Sequence, residues 1–125
     1  MRLLLDANAL LWAVEQPERL APSARAAIAD ASNSVLVSAA SLWELAIKHG
    51  LGRLRLPEEF RSRLEERGFD TLSITPEHAW VAGALPLHHG DPFDRMLAAQ
   101  AQLEGLTIVT RDAKIARYQV AVLPA

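Results

Sequence analysis

Leu3-Leu4-Leu5-Asp6-Ala7-Asn8 is the stretch that decides the fold. Three leucines in a row leave no polar face, which suits a strand covered on both sides, and a carboxylate follows at once. Leu106-Thr107-Ile108-Val109 repeats the device late in the chain, followed by Thr110-Arg111-Asp112. Between them, Ser34-Val35-Leu36-Val37 and Thr71-Leu72-Ser73-Ile74 read as further strands, with a fifth over 120–123 at an edge. Helices alternate with these strands over 7–14, 22–31, 41–49, 57–67, 76–84 and 92–104. Their ends carry recognisable signals: Pro22, Pro57, Pro76 and Pro92 at starts, and Gly50, Gly68 and Gly105 at stops. Short apolar strands alternating with helices predict a three-layer α/β fold, a parallel sheet of four to five strands flanked by helices.

A chain of 125 residues, 50% hydrophobic and 22% charged, is expected to form one globular domain over 1–125. It has no cysteine, which excludes a disulfide framework, a thiolate zinc site and a cysteine nucleophile. The apolar start is too short for a signal peptide or a membrane span, so a cytoplasmic protein without a membrane partner is expected. A net charge of −2 does not advertise nucleic acid binding. Lys48, Arg53, Arg55, Arg61, Arg63 and Arg67 interleave with Glu58, Glu59, Glu65 and Glu66, as on solvated helix faces. Arg111, Lys114 and Arg117 lie beside Asp112 and are better placed for a phosphate backbone.

In a doubly covered parallel sheet the ligand crevice lies beyond the carboxyl ends of the strands. Asp6 and Asp112 fall just past two such ends, Glu44 lies early in the helix over 41–49, and Asp94 lies in the first turn after Asp91-Pro92. Each acid has an ordinary explanation. Asp6 suits an N-cap, and Ser41 with Glu44 matches a capping box with Lys48 one turn on. Asp94 suits the first turn of a helix capped by Asp91, and Asp112 suits a tight turn. Against this, the helix around Glu44 is apolar on most sides, and Asp94 shares its face with Leu97, Ala98 and Ala101. Two unit charges ~4 Å apart repel by roughly 4 kcal/mol at an effective dielectric near 20. A hard divalent cation relieves that repulsion and brings water chemistry with it, which points to a metal-dependent hydrolase of phosphodiesters.

The sequence lacks a phosphate-binding loop, a G-x-G-x-x-G run, a G-x-S-x-G elbow and H-E-x-x-H. His88 and His89 are adjacent without zinc-like companions and read as a solvated loop or an RNA contact. His49 reads as a cation at a helix C-terminus and His78 as a surface residue. Trp12, Trp43 and Trp80 lie in helical patterns and read as core.

Four segments, Asp6 to Trp12, Ser41 to Lys48, Asp91 to Ala101 and Val109 to Asp112, closely resemble the PIN-domain family. Within it, the chain resembles VapC-type toxin ribonucleases of bacterial and archaeal toxin–antitoxin pairs. The resemblance spans essentially the whole length, and Asp91 to Ala101 is its most specific part. It implies that Asp6, Glu44, Asp94 and Asp112 form an acidic quartet binding Mg²⁺ or Mn²⁺, with Asn8 and Thr110 in supporting roles. It also implies an RNA substrate, a homodimer, and a small antitoxin protein that blocks the site. Asp6, Glu44 and Asp94 are then the main ligands and Asp112 orients a metal or its water shell; in-line attack of water leaves a 3′-hydroxyl and a 5′-phosphate.

Two rival readings use the same acids. One is a phosphatase or DNA nuclease, though the haloacid dehalogenase type is disfavoured because Asn8 stands where its second aspartate belongs. The other is a non-catalytic metal- or RNA-binding module of receiver type, which wants a lysine at a late strand end, where only Lys114 is available.

Overall fold

The computed structural model describes residues 1–125. Its strands are β1 (Arg2–Leu5), β2 (Ser34–Ser38), β3 (Asp70–Leu72), β4 (Thr107–Thr110) and β5 (Ala121–Pro124). The helices are α1 (Ala7–Glu15), α2 (Pro22–Ala29), α3 (Ala39–Gly50), α4 (Phe60–Glu66), α5 (Pro76–Ala84) and α6 (Pro92–Glu104), with 3-10 turns at Pro17–Arg19 and Ile115–Tyr118. The five strands form one parallel sheet in the order β3-β2-β1-β4-β5.

The leucine run lies at the centre of this sheet. Leu3, Leu4 and Leu5 are fully buried, each worth about 1.5–3 kcal/mol of transfer free energy. Alternation sends Leu3 and Leu5 to one face, where they join Val35, Val37 and Val109 beneath Leu10, Trp12, Leu45 and Phe60 of α1, α3 and α4. Leu4 goes to the other face with Leu36 and Ile108, covered by Leu97 and Ala101 of α6 and by Ile115. Two cores on one sheet give the expected three layers.

Several boundaries differ from expectation for identifiable reasons. Helix α3 starts before Ser41, because Ser38 is the N-cap and its side chain accepts from the Ala40 N–H. Ser41 is buried and donates 3.1 Å to the Leu5 carbonyl, so the expected capping box with Glu44 does not form. Helix α4 opens at Phe60 rather than at Pro57, and β3 keeps only three residues at the sheet's edge. Gly105 closes α6 at φ 67°, the left-handed backbone region in which glycine is least strained.

Strands β2 and β3 continue on one side of β1, and β4 and β5 on the other. The order therefore reverses between β1 and β4, and the loops leaving their carboxyl ends part there to open a crevice. The Asp6 N–H donates 3.2 Å to the Val109 carbonyl, fixing the two strand ends side by side.

Candidate metal centre

Asp6 is the first residue past β1 and caps α1, its Oδ1 accepting the Ala9 N–H at 2.8 Å. The N-cap reading is met, and the cap takes only one oxygen of the carboxylate. Helix α3 presents Glu44, paired 2.7 Å with Lys48 on the next turn. Helix α6 presents Asp94 over the buried row of Leu97, Ala98 and Ala101. Asp91 caps α6, its Oδ1 accepting from the Phe93 and Asp94 N–H groups at 2.8 and 3.3 Å. Past β4, the Asp112 N–H donates 3.0 Å to the Thr110 hydroxyl, and Asp112 Oδ1 accepts from the Lys114 N–H at 2.9 Å.

These side chains meet in one cavity of about 180 Å³, lined by Asp6, Ala7, Asn8, Trp12, Glu44, Lys48, Asp91, Asp94, Arg111 and Asp112. All four expected acids are there, together with Asn8. Thr110 is buried just behind it and hydrogen-bonds Asp6 through its side chain. Ligand atoms of Glu44, Asp91 and Asp94 lie within 4.8 Å of one another, as do those of His89, Asp94 and Asp112. Asp94 belongs to both groups, while Asp6 lines the cavity outside them.

The electrostatics follow from this crowding. Burial, reinforced by Asp91, Glu44 and Asp6 and opposed by His89, pushes the Asp94 carboxyl up to about 7. Burial also raises Asp6, against the hydrogen bonds of Thr110 and Ala9. Asp112 moves the other way: burial tends to raise it, but the Lys114 N–H and His89 outweigh that and hold it below the usual value. Five carboxylates thus face two cationic side chains, and both cations are engaged. Lys48 pairs with Glu44. Arg111 donates 2.7 Å to the Ala125 carbonyl, bonds the Arg19 carbonyl, and stacks 4.3 Å from the Trp12 ring centroid. Uncompensated carboxylate oxygens of this kind fit a hard divalent cation.

Some sequence expectations are corrected here. The solvated-loop reading fails for His89: its Nε2 lies 2.6 Å from Asp112 Oδ2 and 3.0 Å from Asp94 Oδ2. His88 packs its ring against Tyr118. His78 is buried, not on the surface, and bridges α5 to α6 through Glu104 at 2.9 Å and Gln100 at 3.3 Å. Trp12 is core, but Trp43 and Trp80 are 61% and 81% exposed, so the helical patterns around them misled. The same error affects Glu44, whose helix carries Trp43 and Ile47 outward rather than burying them. Asp91, read only as a helix cap, lines the cavity, and His89 touches two of its acids; neither was expected there. Adjacency to Asp94 in sequence was the only available signal.

A parallel sheet with an acidic cleft at its switch point defines a class, the α/β proteins that gather carboxylates at the strand ends for a cation. Within that class the chain belongs to the PIN-domain family, whose profile matches residues 3–121. It is similar to Ribonuclease VapC22 of Mycobacterium tuberculosis, 34% identical over 119 residues, covering 93% of this chain and 91% of that one. Ribonuclease VapC16 of the same organism is 43% identical over 58 residues, 43% of this chain and 41% of that one. Among solved structures, VapBC2 from Rickettsia felis bound to a promoter DNA fragment superposes with a TM-score of 0.72 at 19% identity, covering 98% of each chain. DNA-bound VapBC from Salmonella typhimurium gives 0.69 at 20% identity, covering 98% of this chain and 97% of that one. At these identities the structural likeness is one of fold.

Proposed function

We propose that this protein is an endoribonuclease of the VapC type, the toxin of a toxin–antitoxin pair, hydrolysing RNA phosphodiester bonds with the help of Mg²⁺ or Mn²⁺. One observation carries the reading: five carboxylates converge, with too few cations to balance them, in a chain that aligns over nearly its whole length with a ribonuclease. No helix is long and apolar enough to cross a membrane.

Glu44, Asp91 and Asp94 would hold the cation, with Asp6 facing it from the end of β1. A divalent cation there supplies Lewis-acid stabilisation of the charge building on the scissile phosphate and makes water acidic enough to attack at neutral pH. Burial first, and then the neighbouring Asp91, Glu44 and Asp6, raise the Asp94 pKa, so a bound cation would favour its ionised form. Asp112, held by the Lys114 N–H and His89, would orient water. Asn8 is exposed in the cleft and can donate to a phosphate oxygen, while Thr110 fixes Asp6. Lys114 and Arg117 stand exposed beside the cleft for the neighbouring phosphates. In-line attack leaves a 3′-hydroxyl and a 5′-phosphate.

The partners follow the same reading. Structural neighbours are described as VapBC complexes, and a small antitoxin is the corresponding partner here. Trp43, Leu51, Trp80 and Leu87 are all more than half exposed, which suits surfaces covered by an antitoxin or by a second copy in a homodimer.

The test is cleavage of a panel of transfer and ribosomal RNAs by purified protein, with Mg²⁺ or Mn²⁺, against EDTA and Asp94→Asn. Discrete cuts that vanish in both controls are expected. Asp94→Asn should lose on the order of 100-fold or more, since even partners outside a metal's ligand set cost 10–100-fold. Full activity in a folded Asp94→Asn protein would overturn the site assignment.

A further inference from the structure

His89 is held on every side by groups that dictate where its proton sits. Its backbone N–H donates 2.8 Å to the Tyr118 hydroxyl, which donates back to the His89 carbonyl at 3.3 Å. Arg95 Nη1 donates to that same hydroxyl at 3.3 Å, and its guanidinium binds the Ala82, Leu85 and Pro86 carbonyls. The loop that carries His89 is therefore pinned to α5 and α6.

On the ring, Nδ1 faces the Asp91 N–H at 3.1 Å. A backbone amide can only donate, so Nδ1 is the bare, accepting nitrogen and the proton lies on Nε2. That N–H is directed at Asp112 Oδ2, 2.6 Å from Nε2, while Asp94 Oδ2 lies beside it at 3.0 Å. A metal-ligating nitrogen must be bare, and the other ring nitrogen of such a histidine then donates to a carbonyl, carboxylate or water. Here the second nitrogen already accepts, so Nε2 cannot take a cation without breaking the Asp91 bond.

Resting on the metal-centre reading above, we propose that His89 is a positioning residue: its fixed Nε2–H holds Asp112 beside Asp94 and stays outside the cation's coordination sphere. This bond closes the Asp94–Asp112 side of the cavity, and the open place for a cation is the side formed by Glu44, Asp91 and Asp94. Asp112 then has one oxygen on His89 and the other on the Lys114 N–H, so it acts through orientation.

The experiment combines two readouts on the full chain. Long-range ¹H–¹⁵N spectra of histidine-labelled protein should show His89 protonated on Nε2, with the pattern kept when Mg²⁺ is added to saturation. Transfer of the proton to Nδ1 on loading would identify His89 as a ligand and overturn the proposal. By calorimetric titration, His89→Ala should weaken Mg²⁺ binding about tenfold or more. His89→Gln, whose amide N–H reaches the same side, should recover most of that loss. Unchanged affinity in His89→Ala, or equal losses in both variants, also overturns it. Wild-type protein that binds neither Mg²⁺ nor Mn²⁺ would instead overturn the metal centre itself, and this proposal with it.

Discussion

Asp94 carries the largest electrostatic strain in the chain, and pH exposes it. Its folded pKa of about 7 lies above the ordinary 3.8, so between these values the folded state binds more protons than the unfolded one. Stability of the metal-free protein therefore falls as pH rises from about 4 to 7 and levels off above. Asp6 is shifted in the same direction and adds to the slope, while Asp112 is shifted oppositely and subtracts from it. Metal-free melting temperatures at pH 5 and pH 8 should differ by at least a few degrees, higher at pH 5. Asp94→Asn should flatten most of this difference while remaining folded. A melting temperature that climbs between pH 5 and 8 would contradict the burial of this carboxylate.

The elements that carry the site are held by a few polar side chains working at helix ends. Arg95 is the clearest case, with its guanidinium spread over the last carbonyls of α5 and the loop before α6. Arg95→Met should cost about 1–3 kcal/mol in urea unfolding, because several carbonyls, part-buried at Ala82 and Leu85, lose their donor together. A loss below ~0.5 kcal/mol would mean that the loop is held by packing alone. The elements were also where sequence reading succeeded and failed most plainly. The helices opened by Pro76 and by Asp91-Pro92 were legible because a proline at the start, and for α6 an acidic cap and a closing glycine, are local chemistry. Ser41 was assigned to a cap because Glu44 lies three residues on, yet its hydroxyl answers a carbonyl of β1, which no local pattern contains. The acids at the strand ends were legible through topology. His89 was not, because its loop's direction is set by the hydroxyl of Tyr118, distant in sequence. Trp43 and Trp80 failed for a related reason: helical spacing shows that residues share a face, not that anything within the chain covers it.

At the scale of the whole molecule, a cation that binds only the folded cavity must stabilise the entire fold. Mg²⁺ or Mn²⁺ at 100 times its dissociation constant should raise unfolding free energy by about 2.7 kcal/mol, and EDTA should reverse it. The gain should vanish in Asp94→Asn. Equal stabilisation of that variant would place the ion elsewhere.

The sheet order has a consequence in time as well as space. β1 precedes the other four strands and lies at the centre, but its neighbour β4 pairs Val109 with Leu5 from the far side of two strands and six helices. Asp6 and Glu44 precede Asp94 and Asp112 in the chain and are separated from them by α4, β3 and α5. The cleft between β1 and β4 therefore cannot close on a partial chain. For a protein proposed to cut RNA, the cleft is complete only once the segment carrying Asp94, β4 and Asp112 has docked beside the segment carrying Asp6.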